Sequence, residues 1–254
     1  MKPIAVQLYS LRDASKADFG AVLERLSAIG YAGVEPFSPF GMTARELRER
    51  VEGLGMRVSS SHWPWANRAP INEVVDTIKA LGLSRAAGGF GPDDFKDRDA
   101  ILRTAATTNG IVEALGAQGI ELFLHNHWWE FELLDGVPKY RLLQQLCPTV
   151  KFEIDTYWAS NFGAVNVPDE IARVRARTPL MHIKDGPLVK DSPNVAVGAG
   201  AMAIAAVIAA ADEAVLEWLI VELDACATDM MTAIEGSFRY LTAAGLGHGT
   251  KRAP

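Results

Sequence analysis

Four strand-like segments in the second half of the chain each run into a side chain that can bind a divalent cation. They are Ile120–His127 with Glu130 just beyond, Val150–Asp155, Pro179–His182 and Trp218–Glu222, reading IELFLHNH, VKFEID, PLMH and WLIVE. Apolar runs of this length between helical patterns look like buried parallel strands, and a carboxylate or imidazole at such a strand's exit has no packing role. A mixed carboxylate and imidazole set with no thiolate suits Mn²⁺, Co²⁺, Fe²⁺, Zn²⁺ or Mg²⁺. One such ion can hold adjacent oxygens of a sugar, polarise its carbonyl and stabilise an enediolate. A nearby carboxylate or histidine can then move the proton on the adjacent carbon, and Lys184 can face the developing alkoxide. Asp155, His182 and Glu222 are the candidate ligands, with Glu130 as the fourth and His125 or His127 as alternatives in its place. Each also has a plain structural explanation. Asp155 could cap the following turn, Glu222 could sit in a buried ion pair, His182 could be a hydrogen-bonded core histidine, and Glu130 could be a solvated helix-start acid.

Eight β/α units are needed to position these residues. Strand patterns fall near Ile4–Tyr9, Gly33–Phe37, Arg57–His62, Arg85–Gly89, Glu121–Asn126, Lys151–Asp155, Leu180–Lys184 and Leu219–Leu223. Helical periodicity fills the gaps at Phe19–Ile29, Thr43–Leu54, Ile71–Leu81, Asp99–Leu115, Lys139–Leu146, Pro168–Arg177, Met202–Ala211 and Met230–Ala244. Thr43 stands three residues before Glu46, a capping-box spacing. Gly30, Gly55, Gly82, Gly116 and Gly245 stand where a helix ends in a left-handed residue. Strict alternation implies a parallel sheet, and eight units in 254 residues favour one closed (β/α)8 TIM barrel spanning residues 1–254, with a mobile tail over about 246–254. His248, in that tail, is not read as a ligand. In such a barrel the catalytic groups sit where strands end. That rim gathers Tyr9, Arg12, Glu35, His62, His125, His127, Trp158 and Lys184 beside the candidate ligands; the fourth strand, ending near Gly89, offers no group. Glu35, His127 and Lys184 are the candidates for proton transfer and charge stabilisation. Arg12, His62, His125 and Trp158 are candidates for substrate contact. Trp63, Trp65, Trp128 and Trp129 crowd the same rim, as a sugar-stacking wall or as ordinary packing. Gly198 and Gly200, after the seventh strand, could let backbone approach a ligand, but a tight turn is the favoured reading.

Composition narrows the classes. The chain is 49% hydrophobic and 22% charged, with a formal net charge of −6 and no clustered Lys/Arg stripe, which argues against nucleic-acid partners and anionic membrane surfaces. The longest Ala/Val/Ile run, Ala199–Ala211, is too short to span a bilayer, and the N-terminus turns polar too early for a signal peptide. Cys147 and Cys226 lie far apart with no metal-ligand spacing and read as reduced thiols of a cytoplasmic protein. No glycine-rich phosphate loop follows the first strand, which weakens a dinucleotide-binding alternative. Trp128, Trp129 and Phe131 could meet a second copy in a homo-oligomer or fold over the site.

The segments Ala5–Asp13, Ile29–Phe37, Leu124–Glu132, Phe152–Trp158, His182–Gly186, Val197–Met202 and Trp218–Asp224 together resemble the sugar phosphate isomerase/epimerase family, which shares the xylose isomerase-like barrel. The resemblance spans nearly the whole chain. It implies one divalent metal held by residues of the fifth to eighth strands, so that Asp155, His182 and Glu222 carry over directly. The fifth-strand ligand is a glutamate in many relatives; here His125 stands near that point and Glu130 follows later. Ala201–Ala203 stand where many relatives carry an acidic residue, which implies a changed substrate contact. The implied activity is isomerisation or epimerisation of a sugar or keto-sugar by proton abstraction beside a carbonyl. The alternative is a dehydratase or lyase of a keto-cyclitol or keto-sugar, as in the related inosose dehydratase. No basic cluster marks a phosphate pocket. Endonuclease IV shares the fold but needs more rim ligands and a basic groove, and a non-catalytic sugar-binding barrel would keep the tryptophans without needing metal.

Overall fold

The protein is described by a computed structural model over residues 1–250. Among these residues the parallel strands are β1 (Lys2–Gln7), β2 (Gly33–Glu35), β3 (Arg57–Val58), β4 (Arg85–Gly88), β5 (Glu121–His125), β6 (Lys151–Asp155), β7 (Leu180–Ile183) and β8 (Trp218–Val221). They pair in the order β3-β2-β1-β8-β7-β6-β5-β4 and curl into the expected TIM-barrel arrangement with helices outside. All eight expected strands are present, mostly a residue or two shorter at the exit. The difference from a fully laddered barrel is at its seam, because β3 and β4 share no ladder. Beyond Val58 the chain reads SSSHWPW; Ser59 N and His62 N still bond to Val34 O and Pro36 O, so the segment follows β2 only. Across the seam, Ala66 N donates to Ala87 O at 2.7 Å, and the Asn67 side-chain amide bonds to both Gly89 N and Gly89 O.

Strand parity separates two cores. Ile4, Val6, Val34, Leu122, Leu124, Phe152, Ile154, Met181, Ile183, Leu219 and Val221 face the helices. Ala5, Ala87, Phe123, Leu180, Trp218 and Ile220 fill the barrel's lower interior. Each inward row then turns polar as it climbs: Ala5 gives way to Gln7, Phe123 to His125, Leu180 to His182 and Ile220 to Glu222. The fourth strand contributes space instead of a group, since a Cβ at Gly89 would stand 2.6 Å from the Trp65 ring.

The helix signals hold locally. Thr43 accepts from Glu46 N while the Glu46 carboxylate accepts from Thr43 N, so the capping box forms. Gly30, Gly55, Gly82 and Gly245 have positive φ. Gly116 is instead the last helical residue, and Gly119 takes the left-handed conformation three residues later. The tail is tied in further than its composition suggests: Gly247–His248 pairs in parallel with Lys2–Pro3. The part of the expected mobile tail at 251–254 lies outside the described residues. No helix among the described residues is long and apolar enough to cross a membrane.

The two thiols are set apart by the fold. Cys147 is fully buried, its Sγ donates to Ala105 O, and burial pushes its pKa up to about 11, whereas Cys226 is half-buried. A raised pKa makes the reactive thiolate rarer at any pH below it. Titration of the native protein with a thiol reagent at pH 8 is expected to count one cysteine, and denatured protein two; rapid labelling of Cys147 in the native state would contradict this packing.

Candidate metal centre

The exits of β5 to β8 bring four donors to one point. His125, Asp155, His182 and Glu222, all buried, each offer one ligand atom, and these atoms lie within 4.8 Å of one another. Donors on opposite sides of an ion at about 2.1 Å stand about 4.2 Å apart, so the ring has roughly the size of a coordination shell. Asp155 also caps the next turn, as one sequence reading allowed, its Oδ1 accepting from Trp158 N at 2.9 Å. Its other oxygen, Oδ2, is buried, accepts no aligned hydrogen bond and lies 2.8 Å from Lys184 Nζ. A carboxylate oxygen whose one partner is an ammonium, inside a ring of imidazole and carboxylate donors, fits a divalent cation.

Glu130 is placed elsewhere. Its Oε2 accepts from His127 N at 2.9 Å, it is fully buried, and burial holds its carboxyl well above the usual carboxylate range. It caps the turn after β5 and does not belong to the converging donors, whereas His125 does.

Glu35, expected as a proton-transfer group, lies one layer beneath the ring. Gln7 Nε2 donates to its Oε2 at 2.6 Å, Ser60 Oγ to its Oε1 at 2.5 Å, and His182 Nε2 approaches Oε2 at 2.7 Å. Burial, then the neighbouring Glu153, raises its pKa. Glu153 is not among the residues that strand endings single out. Two residues before Asp155 on the same strand, it shares the inward face, and that parity was the available signal. Its Oε2 lies 2.5 Å from His62 Nε2, 3.1 Å from His125 Nδ1 and 3.3 Å from His182 Nε2. Two ligands of one ion stand about 3 Å or more apart. The 2.5 Å contact therefore marks a hydrogen-bonded network, although His62, His125, Glu153 and His182 also cluster within ligand range.

Charge is balanced internally. Burial would raise Glu222, but Lys184 and His182 hold it well below the usual carboxylate range. Burial would lower His182, but Glu153, Glu35 and Glu222 hold it well above the usual histidine range. Asp155 is the exception: burial outweighs Lys184 and His182 and pushes it up to about 6. Lys184, fully buried, reaches Glu222 Oε2 at 2.8 Å and Asp224 Oδ2 at 2.7 Å as well as Asp155.

Above the ring opens a cavity of about 280 Å³ lined by Tyr9, Phe37, His62, Trp65, His125, His127, Trp158, Lys184, Glu222 and Asp224. His62, His125 and Trp158 thus stand where substrate contact was expected. Arg12 does not line this cavity; it donates to Tyr9 O and Asp224 O, tying the loop after β1 to the loop after β8. His127 stacks on Trp129 at 4.2 Å, with Nδ1 buried and unpartnered, and burial together with Lys184 lowers its pKa to about 3. The aromatics of the β5 loop fold inward. Phe131 is buried against Tyr140, Trp129 Nε1 donates to Phe90 O, and Trp128 packs edgewise on Trp129 beneath Lys190.

Residues 23–243 match the family model described as xylose isomerase-like TIM barrel. No protein of curated function matches the chain. Among solved structures, a sugar phosphate isomerase/epimerase from Parabacteroides distasonis ATCC 8503 is 23% identical with a TM-score of 0.76, covering 96% of this chain and 95% of that one. An L-ribulose 3-epimerase is 19% identical with a TM-score of 0.71, covering 97% and 95%. The probable 3-DHS dehydratase AsbF from Bacillus anthracis is 12% identical with a TM-score of 0.69, covering 95% and 99%. At these identities the likeness is one of fold.

The glycine loop after β7 serves this chain's own aspartate. Asp185 Oδ2 accepts from Gly198 N and Gly200 N at 2.9 and 3.0 Å, and Oδ1 from Gly186 N and Met202 N at 2.8 and 3.0 Å. A Cβ at Gly200 would collide with that carboxylate and with Gly186 N. Its backbone donors are therefore consumed, and Ala201–Ala203 stay outside the cavity lining. Asp185→Asn would turn an amide N–H₂ toward two of these donors. It is expected to destabilise the protein by about 3 kcal/mol and to lower Tm by roughly 10 °C in a thermal melt; an unchanged Tm would show that the loop closes without this carboxylate.

Proposed function

With the chain's membership of the xylose isomerase-like TIM-barrel family as premise, we propose that it is a divalent-metal-dependent isomerase or epimerase of a sugar or keto-sugar. The observation that carries this reading is the convergence of His125, Asp155, His182 and Glu222, of which His125 and Glu222 line the rim cavity. These four would hold Mn²⁺, Co²⁺, Zn²⁺, Fe²⁺ or Mg²⁺, with His125 in the place first expected for Glu130. When bound, the ion supplies a Lewis acid that polarises a substrate carbonyl and acidifies the neighbouring C–H.

The chain's own groups do the rest. His127 faces the cavity uncharged, so it offers one acceptor and one donor nitrogen, and its Nδ1 is engaged by no protein group. It is assigned the movement of the proton at the carbon beside the carbonyl. Lys184, held charged by Asp155, Asp224 and Glu222, stabilises negative charge as it develops on oxygen. Tyr9, Phe37, Trp65 and Trp158 give the cavity apolar walls on which the C–H face of a sugar can rest while water is kept out. The fold likeness to a probable dehydratase favours one second reading, a dehydratase or lyase of a keto-cyclitol or keto-sugar. It would share the proton abstraction and differ in losing a β-leaving group before reprotonation.

Elemental analysis of native protein is expected to find about one divalent ion per chain. Asp155→Ala and Glu222→Ala are expected to lose metal and turnover together; a metal-free native protein after supplementation, or variants that keep the ion, would refute the centre. Incubated in D₂O with a panel of keto-sugars and inososes, the enzyme is expected to incorporate deuterium into substrate without forming an alkene or dicarbonyl, whereas a dehydrated product would establish the lyase. His127→Ala is expected to keep its metal and lose turnover by about 10²-fold or more; near-normal exchange in that variant would assign the proton elsewhere.

A further inference from the structure

Two glutamates, Glu35 and Glu153, lie inside the barrel beneath the proposed ring, both with 0% exposure, and neither lines the cavity. The imidazoles of His62, His125 and His182 pack around them. Their geometry points at those imidazoles. Glu153 Oε2 is 3.1 Å from His125 Nδ1, and Glu35 Oε2 is 2.7 Å from His182 Nε2. On the far side of its ring, His182 Nδ1 faces Glu222 Oε2 at 2.8 Å. Each histidine of the ring thus has one nitrogen engaged from below by a glutamate, which leaves the opposite nitrogen for the donors above. A carboxylate on the outer nitrogen of a ligating histidine fixes both its tautomer and its ring angle.

We infer that Glu35 and Glu153 are positioning residues, Glu35 for His182 and Glu153 for His125, and that Glu153 is what makes His125 Nε2 a donor of the centre. The inference rests on the metal reading given above. Both glutamates are themselves held. Glu35 takes Gln7 Nε2 and Ser60 Oγ, while Glu153 takes His62 Nε2 at 2.5 Å, so neither can swing into the ring without abandoning a buried partner. His62, which lines the cavity, then acts as a brace for Glu153 as well as a wall. This arrangement also gives a physical reason for the seam. The segment after β3 turns away from β4 and spends Ser60 and His62 on the two glutamates.

The test is titration of metal-free protein with Co²⁺ alone, read by binding stoichiometry and by visible absorption. Native protein is expected to bind one Co²⁺. Glu153→Gln and Glu35→Gln are each expected to bind one Co²⁺ with affinity reduced by about 10–100-fold and with a shifted absorption band. A native protein that binds no Co²⁺ would overturn the centre and this inference with it. Native binding of one Co²⁺, with both variants binding as tightly and with the same spectrum, would overturn the positioning role alone. Native binding of two Co²⁺, one of them lost in Glu153→Gln, would make Glu153 a ligand and overturn its positioning role. Side-chain ¹⁵N NMR of metal-free native protein needs no substitution: His125 is expected as the Nδ1–H tautomer with Nε2 bare, and the opposite tautomer would overturn the assignment.

Discussion

A carboxylate shut inside a barrel must find positive charge or surrender its own. Glu35, Glu153, Asp155 and Glu222 are all in that position, stacked within the upper half of one interior. His182 and Lys184 are the cations they share. Glu153 lies against His182 and Glu222 against both cations, and each is held well below the usual carboxylate range despite burial. Asp155 lies against Lys184 yet is pushed up to about 6, so its charge is the least compensated of the ring. Glu130 forms no ion pair among the described residues, burial holds it well above the usual carboxylate range, and its carboxylate caps a turn. Within this one network, the environments of the carboxylates distinguish a cap, a supporting pair and a ring with room for further positive charge.

The barrel delivers this network through parity alone. On β6 the inward face carries Glu153 and then Asp155, and the register pairs Asp155 with His182 and His125 with Glu153. Gln7 pairs with Glu35 across β1 and β2 in the same way. Neighbouring inward residues in register therefore touch, and two residues beyond Glu153 the same strand brings Asp155 to the converging donors. Below them Trp218, Phe123 and Leu180 pack as the floor of the interior. A one-residue slip of β6 would send both carboxylates into the helix-facing core and bring Phe152 and Ile154 inside. The apolar alternation of these strands thus fixes the site as firmly as any polar contact does.

This explains what could be read from residues alone. Strand endings point to Asp155, His182 and Glu222, because a polar side chain at the end of an apolar run adds nothing to the packing of that run. The eight strands were readable for the same reason. The choice between His125 and Glu130 is not legible there, since it depends on where the 3₁₀ turn Trp129–Phe131 sends the Glu130 carboxylate. Glu35 is legible as a strand-end carboxylate but its full burial is not, because strand position does not reveal depth below the rim. Glu153 was hidden within VKFEID, where a single glutamate between Phe152 and Ile154 looks like ordinary alternation. Its partners His125 and His182 come from two other strands and His62 from the segment after β3, and only the curled sheet brings them together. The seam and the ordered start of the tail were likewise set by pairings between residues far apart in sequence.

The same charge balance bears on what the cavity would accept. A phosphorylated sugar needs free cations or free backbone donors at the rim. Lys184 is enclosed by three carboxylates, and Arg12 gives its guanidinium to two backbone carbonyls. Arg68 lies over the Trp65 ring, 5.4 Å from its centroid, and is not among the lining residues. The glycine loop that might have cradled a phosphate already holds Asp185. A dianion brought into this cavity would have to break one of these pairings and would face Glu222 and Asp224 once it had. An uncharged sugar asks for none of that: its hydroxyls meet carboxylates and imidazoles that accept hydrogen bonds, and its C–H face meets indole and phenyl rings. The geometry that supports a divalent ion on the cavity floor therefore also favours an unphosphorylated substrate for the proposed reaction.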